Sequence, residues 1–152
     1  MRDDCAILLV EDNPKDEKLT LRALEKSRVG NRVDVVRDGV EALDYLFAQG
    51  AHLDRVDKRL PSVVLLDLQL PKLDGLEVLR QIRANPNTAL LPVVILTSSD
   101  EDQDRLRGYT LGVNSYVCKP VDFVKFSDAV AQLGLYWLVI NQLPPTMSRV
   151  SE

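Results

Sequence analysis

The chain reads as an open parallel α/β sheet with helices on both faces. Three observations predict this. Apolar, β-branched runs recur at residues 5–10, 62–66 and 92–97, with a more mixed strand-like run at 113–118 and a shorter alternating run at 32–36. Segments of helical spacing alternate with these runs, giving β-α repeated five times. Most connections between them are short and carry turn residues, as in Asn13-Pro14, Asp38-Gly39 and Asp74-Gly75. Strands apolar throughout are those buried on both faces, as in the middle of a parallel sheet, and strict alternation with helices supplies the covering layers.

Taken in order, residues 5–10 form strand one. Asn13 is a good N-cap and Pro14 a good first helical residue, so helix one is expected from Pro14 to Ser27. Leu19, Leu21, Ala23 and Leu24 would face inward, with Lys15, Lys18, Arg22 and Lys26 outside. Residues 32–36 alternate like a half-exposed edge strand. Asp38-Gly39 opens helix two, with Val40, Leu43 and Phe47 at helical spacing and Gly50 as its close. Residues 51–60 are polar and longer than a usual connection, and read as a surface loop or a frayed helical extension. Strand three follows and ends at Asp67. Asp74-Gly75 opens helix three and Asn85-Pro86 ends it. Strand four stops on Thr97. Ser98 with Glu101 makes a capping box for helix four, which Gly112 terminates. Strand five ends at Lys119-Pro120. Asp122 caps helix five, whose far end, 135–140, is apolar nearly all round.

The length of 152 residues suits one domain. It is placed at 1–143, with residues 144–152 after helix five expected to form a disordered tail. A net charge of -4 argues against direct binding of nucleic acid. No apolar run is long enough to span a membrane, and the first is too short for a signal peptide, so the expected location is cytoplasmic. Cys5 and Cys118 sit in strand-like runs and read as core thiols. His52, the one histidine, falls in a polar segment and reads as solvated; no zinc site of ordinary spacing is available.

In open parallel sheets, ligands bind beyond the carboxyl ends of the strands. The first polar residues at those ends are Glu11 and Asp12, Asp67, Thr97 and Lys119. A lone Asp after an apolar run is most often a turn cap. Four strands ending in three acids, a hydroxyl and an amine point instead to a site. Carboxylates packed at ~4 Å repel by roughly 4 kcal/mol per pair at an effective dielectric of about 20. A hard divalent cation relieves this, and Mg2+ accepts few carboxylates plus a backbone carbonyl and water. Asp12, Asp67 and the main-chain carbonyl of Gln69 would supply such a half-shell, with Glu11 acting directly or through water. Nucleophile, metal clamp and cation together are the equipment for phosphoryl transfer to a carboxylate.

Glu11-Asp12, Asp67, Thr97 and Lys119-Pro120, with Asp74-Gly75 and Tyr116, resemble the receiver domain of two-component response regulators over about residues 6–133. The resemblance implies a flavodoxin-like sheet ordered 2-1-3-4-5, with Asp67 as phosphoacceptor and Glu11 and Asp12 as Mg2+ ligands. Thr97 and Tyr116 would be the switch pair, Lys119 the phosphate-binding lysine, and Ser98 a small neighbour leaving the phosphate accessible. The Lys119-Pro120 bond would be cis. Strands one and five would stand about 14 Å apart, too far for a Cys5–Cys118 disulfide. The partner implied is a sensor histidine kinase, and the chemistry is self-phosphorylation and self-dephosphorylation rather than enzymatic turnover. No DNA-binding segment is expected after helix five. Its apolar excess argues for a homodimer through helix four, strand five and helix five, involving Tyr109, Tyr136, Trp137 and Ile140.

A narrower similarity is to single-domain regulators that partner phytochrome-type kinases. It rests on Glu11-Asp12-Asn13-Pro14, the long segment before Pro61, Leu96-Thr97-Ser98-Ser99, residues 114–119 and Tyr136-Trp137-Leu138. Rival readings are weaker. A haloacid-dehalogenase-type phosphatase needs a second acid where Gln69 stands, and a flavodoxin's phosphate loop would meet Glu11-Asp12. The alternative kept open is a receiver-like dimerisation or interaction module that acts without phosphorylation.

Overall fold

A computed structural model describes residues 2–26, 31–57, 60–97 and 115–132. Strand β1 (Arg2–Val10) leads into α1 (Pro14–Lys26), β2 (Asn31–Val36) and α2 (Gly39–Phe47). A 3-10 helix (Gly50–Asp57) precedes β3 (Val63–Asp67), α3 (Gly75–Ala84), β4 (Val93–Thr97), β5 (Ser115–Cys118) and α4 (Phe123–Gln132). The last is the fifth helix of the sequence reading. The expected fourth helix with Ser98 and Tyr109, the Tyr136, Trp137 and Ile140 segment and the expected tail lie outside the described residues.

The sheet is five-stranded and ordered β2-β1-β3-β4-β5. All its strand pairs are parallel. This is the expected flavodoxin-like topology, and Cys5 and Cys118 stand three strand spacings apart, as expected. Alternate residues of each central strand serve two cores, because successive side chains point to opposite faces. Leu8, Val10, Val64, Leu66, Val93 and Ile95 pack under α2 and α3. Ile7, Leu9, Val63, Leu65, Val94 and Leu96 pack under α1 and Phe126 of α4. A strand with a core on each side has no position for a polar residue until it leaves the sheet, which forces the charged residues to the ends.

Helix α1 buries Thr20, Ala23 and Leu24 and keeps Lys15, Lys18, Arg22 and Lys26 exposed. Leu19 and Leu21 are half-buried. Three expectations are corrected on the other side of the sheet. Val40 is exposed, because the buried face of α2 runs through Ala42, Leu43, Tyr45 and Leu46. The helix ends at Phe47, not at Gly50: Ala48 takes the left-handed cap at φ 52, ψ 55, and its N–H donates to the Asp44 and Tyr45 carbonyls. His52 is only partly solvated, at 23% side-chain exposure. The 3-10 turn folds it back so that Nε2 lies 3.1 Å from Glu41 Oε2, with its ring edge-on to Tyr45. Arg55 stacks over the Tyr45 ring, 3.5 Å from its centroid, and the Tyr45 hydroxyl donates to Asp34 Oδ2.

Left-handed backbone costs an alanine roughly 1 kcal/mol that glycine avoids, less a fraction for the greater freedom of glycine in the unfolded chain. Ala48→Gly is therefore expected to stabilise the protein by about 0.5 kcal/mol, read as a higher urea midpoint at constant slope.

Candidate functional site

The carboxyl edge of the sheet gathers the charged strand ends. Glu11 follows β1 directly, and its N–H donates to Val36 O at 3.0 Å, continuing the ladder with β2. Its side chain is 0% exposed. Asp12 turns outward into solvent. Asn13 caps α1 as expected, its Oδ1 accepting from Lys15 and Asp16 N–H at 2.9 and 3.1 Å. Asp67 ends β3 at 2% exposure. Its Oδ1 accepts from the Gln69 N–H at 3.0 Å and its Oδ2 from Lys119 Nζ at 2.8 Å. Thr97 ends β4 in register with Cys118, and Tyr116 pairs with Ile95, two residues short of that edge. Lys119 is the first residue past β5, and its bond to Pro120 is cis.

The ammonium of Lys119 joins the site together. Besides Asp67 it bonds Asp16 Oδ2 at 3.0 Å and lies 2.9 Å from Glu11 Oε1. The last contact is an ion pair without hydrogen-bond alignment, so Glu11 Oε1 is buried with no hydrogen bond of its own. Burial pushes the Glu11 carboxyl up to about 7; the neighbouring Asp67 carboxylate pushes the same way, and Lys119 holds it back. Burial works to lower the Lys119 ammonium, but its contacts with Asp67, Glu11 and Asp16 prevail and raise it. Asp16 was absent from the sequence reading. It lies inside a helix rather than at a strand end, and an acid in a first helical turn already has a reason to be there.

Glu11, Asp12 and Asp67 each bring a carboxylate oxygen within 4.8 Å of the others. Hard oxygen donors, one solvent-facing, and a buried oxygen lacking a hydrogen bond fit a hard divalent cation rather than a soft metal. Among the described residues no helix is long and apolar enough to cross a membrane.

Glu11 also sets a pH dependence for the metal-free protein. A carboxyl raised from 4.5 to about 7 holds a proton in the fold that the unfolded chain has released. Stability from this group is full below the unfolded value and is lost as pH rises through about 7. The expected loss is of the order of 3 kcal/mol. Urea unfolding in chelator between pH 5 and pH 8 checks it: Glu11→Gln should lack the part of the slope that belongs to this group.

Residues 7–131 match the response regulator receiver domain family. The "Probable methanogenesis regulatory protein FilR2" of Methanothrix harundinacea is 43% identical over 143 residues, covering 93% of this chain and 89% of its own. The bacteriophytochrome response regulator AtBRR superposes with a TM-score of 0.83 at 53% identity, over 91% of this chain and 98% of that one. The Mn(2+)-bound form of response regulator Rcp1 superposes with a TM-score of 0.70 at 36% identity, over 92% and 99% of the two chains; Rcp1 is a Synechocystis protein. With the family matched over most of its length, and its fold and the edge carrying Asp67 and Lys119 in agreement, the chain belongs to the response regulator receiver domains of two-component systems.

Proposed function

We propose that the chain accepts a phosphoryl group on Asp67 from a sensor histidine kinase and passes the signal on by a change of shape. The observation that carries this is the Lys119–Asp67 contact of 2.8 Å inside a buried acidic cluster. A carboxylate oxygen of Asp67 would attack phosphorus in line. The phosphorus–nitrogen bond of the donor phosphohistidine breaks, and the imidazole leaves with its electron pair. Lys119, already bonded to Asp67, then pairs with a phosphoryl oxygen, and the Thr97 hydroxyl donates to another. Tyr116, further along the neighbouring strand, would follow Thr97 inward as the second half of the switch. Ser98 would leave the phosphoryl group open to water. Glu11, Asp12, Asp67 and the Gln69 carbonyl are the residues that would hold Mg2+. Bound there, Mg2+ would neutralise charge developing on the transferred group. Moving such a switch from 1:99 to 99:1 takes roughly 5.5 kcal/mol of differential binding.

The chain is then a phosphoacceptor and not a turnover enzyme, working in the cytoplasm without direct contact with nucleic acid. The 53% identity to AtBRR supports a phytochrome-type kinase as donor. FilR2, named for methanogenesis regulation, is 43% identical, so the donor has to be identified by a phosphotransfer profile against candidate kinases. Output would run through a homodimer on the face that follows Thr97, tested by sedimentation with and without phosphorylation.

Acetyl phosphate with Mg2+ should give a hydroxylamine-labile adduct that disappears in Asp67→Asn. Labelling that persists unchanged in that variant would sink the assignment. A chain that never labels would leave the phosphorylation-independent interaction module.

A further inference from the structure

We propose that Asp16 is a positioning residue that competes with the phosphoryl group for Lys119 and so limits how tightly the site holds a phosphorylated Asp67. This rests on the phosphoacceptor reading of Asp67. An ammonium has three N–H donors. Lys119 gives one to Asp67 Oδ2 at 2.8 Å and one to Asp16 Oδ2 at 3.0 Å, while Glu11 Oε1 lies 2.9 Å away as an unaligned ion pair. A phosphoryl oxygen arriving at Asp67 therefore meets an ammonium already held by Asp16.

The three acids are not equivalent. Asp67 carries the new group, and Glu11 is fully buried with an unaligned ion pair. Asp16 is 32% exposed at its side chain, on the open side of the site, and it holds a well-formed hydrogen bond to the ammonium. Its place is fixed because its own N–H is capped by Asn13 at 3.1 Å in the first turn of α1. Asp16 is therefore the partner Lys119 must leave, and water can resolvate it when that happens. Its negative charge stays beside the phosphoryl oxygens afterwards. Both effects oppose the phosphorylated state, and both come from the charge of the side chain rather than from its bulk.

The test is a titration with beryllofluoride in Mg2+, a non-hydrolysing mimic of an aspartyl phosphoryl group, followed by 19F NMR. Asp16→Asn, which keeps the shape and removes the charge, should bind about tenfold more tightly than the wild-type protein, and Asp16→Ala similarly. Asp16→Glu, which restores the charge, should bind like the wild type. Wild-type binding with Asp16→Asn equal or weaker overturns the proposal alone, as does Asp16→Glu binding as tightly as Asp16→Asn. A wild-type protein that binds no beryllofluoride, or an Asp67→Asn variant that still binds it, overturns the phosphoacceptor reading and the proposal with it.

Discussion

Lys119→Met is expected to destabilise the metal-free protein by about 3–5 kcal/mol at pH 8, the usual loss when one partner of a buried ion pair is removed. The ammonium reaches Asp67, Glu11 and Asp16 at 2.8, 2.9 and 3.0 Å, and the first two carboxylates are 2% and 0% exposed. Without it two acids stand buried together with no cation. Two routes of relief separate this cause from simple lost packing. Glu11 can take up a proton: its carboxyl is already raised to about 7 with Lys119 opposing the shift, and in the variant nothing opposes it. The defect should therefore shrink towards pH 5. Mg2+ would be the other relief, acting where the lysine charge was lost. A Lys119→Met, Glu11→Gln double variant should be more stable than Lys119→Met alone at pH 8. Urea unfolding at pH 5 and pH 8, in chelator and in Mg2+, reads all of these. A defect independent of pH and metal would mean that the carboxylates are not electrostatically confined as described.

The parts of this site that were legible in the sequence share one property: each is the first polar residue after a run with no polar residue in it. Asp67 follows Val63–Leu66, and Lys119 follows Tyr116-Val117-Cys118. Because both faces of the sheet carry cores, such a residue has only one place to go. The order of the strands was different. It came with the family resemblance, because alternation of strand and helix is the same for several strand orders. Asp16 was not legible for a local reason: its backbone satisfies a helix N-terminus, and its bond to Lys119 spans 103 residues of chain. His52 and Arg55 were misjudged or passed over because a polar segment has no hydrophobic period to read. Both pack on Tyr45, which places an aromatic ring rather than an aliphatic face under the 3-10 turn. The slip at Val40 is of the same kind, since Val40, Leu43 and Phe47 fit one stripe but Ala42, Leu43, Tyr45 and Leu46 fill the space. Residues 42, 43, 45 and 46 keep helical spacing as well, so two stripes share Leu43 and spacing alone did not choose between them.

Gly75→Ala is expected to cost about 3 kcal/mol and to abolish the Asp67 adduct even under conditions where the variant remains folded. Alanine favours a helix over glycine by up to about 1 kcal/mol, so propensity alone predicts the opposite sign. Geometry decides against it. A Cβ at Gly75 would lie 2.4 Å from the Asp67 carbonyl oxygen and 2.7 Å from Leu68 Cα, both backbone atoms. Neither side can withdraw. Asp67 is in register with Leu96 of β4, and Leu68 N–H reaches Leu96 O at 3.4 Å, which holds the end of β3. On the other side Leu76, Leu79 and Ile82 fix α3 in the core at 3%, 0% and 0% exposure. Strain therefore falls on the segment that aims Asp67 at Lys119. Gly39→Ala is the comparison: its Cβ would lie 2.1 Å from Leu73 O, also backbone, but in a connection outside the sheet. That variant should lose stability and keep most of the adduct, because the 71–73 connection can shift without moving the end of β3. Urea midpoints with acetyl phosphate labelling on the same samples separate the two. A Gly75→Ala protein with wild-type stability and labelling would show that α3 can pull back from Asp67, and that its close approach is not what holds the phosphoacceptor in place.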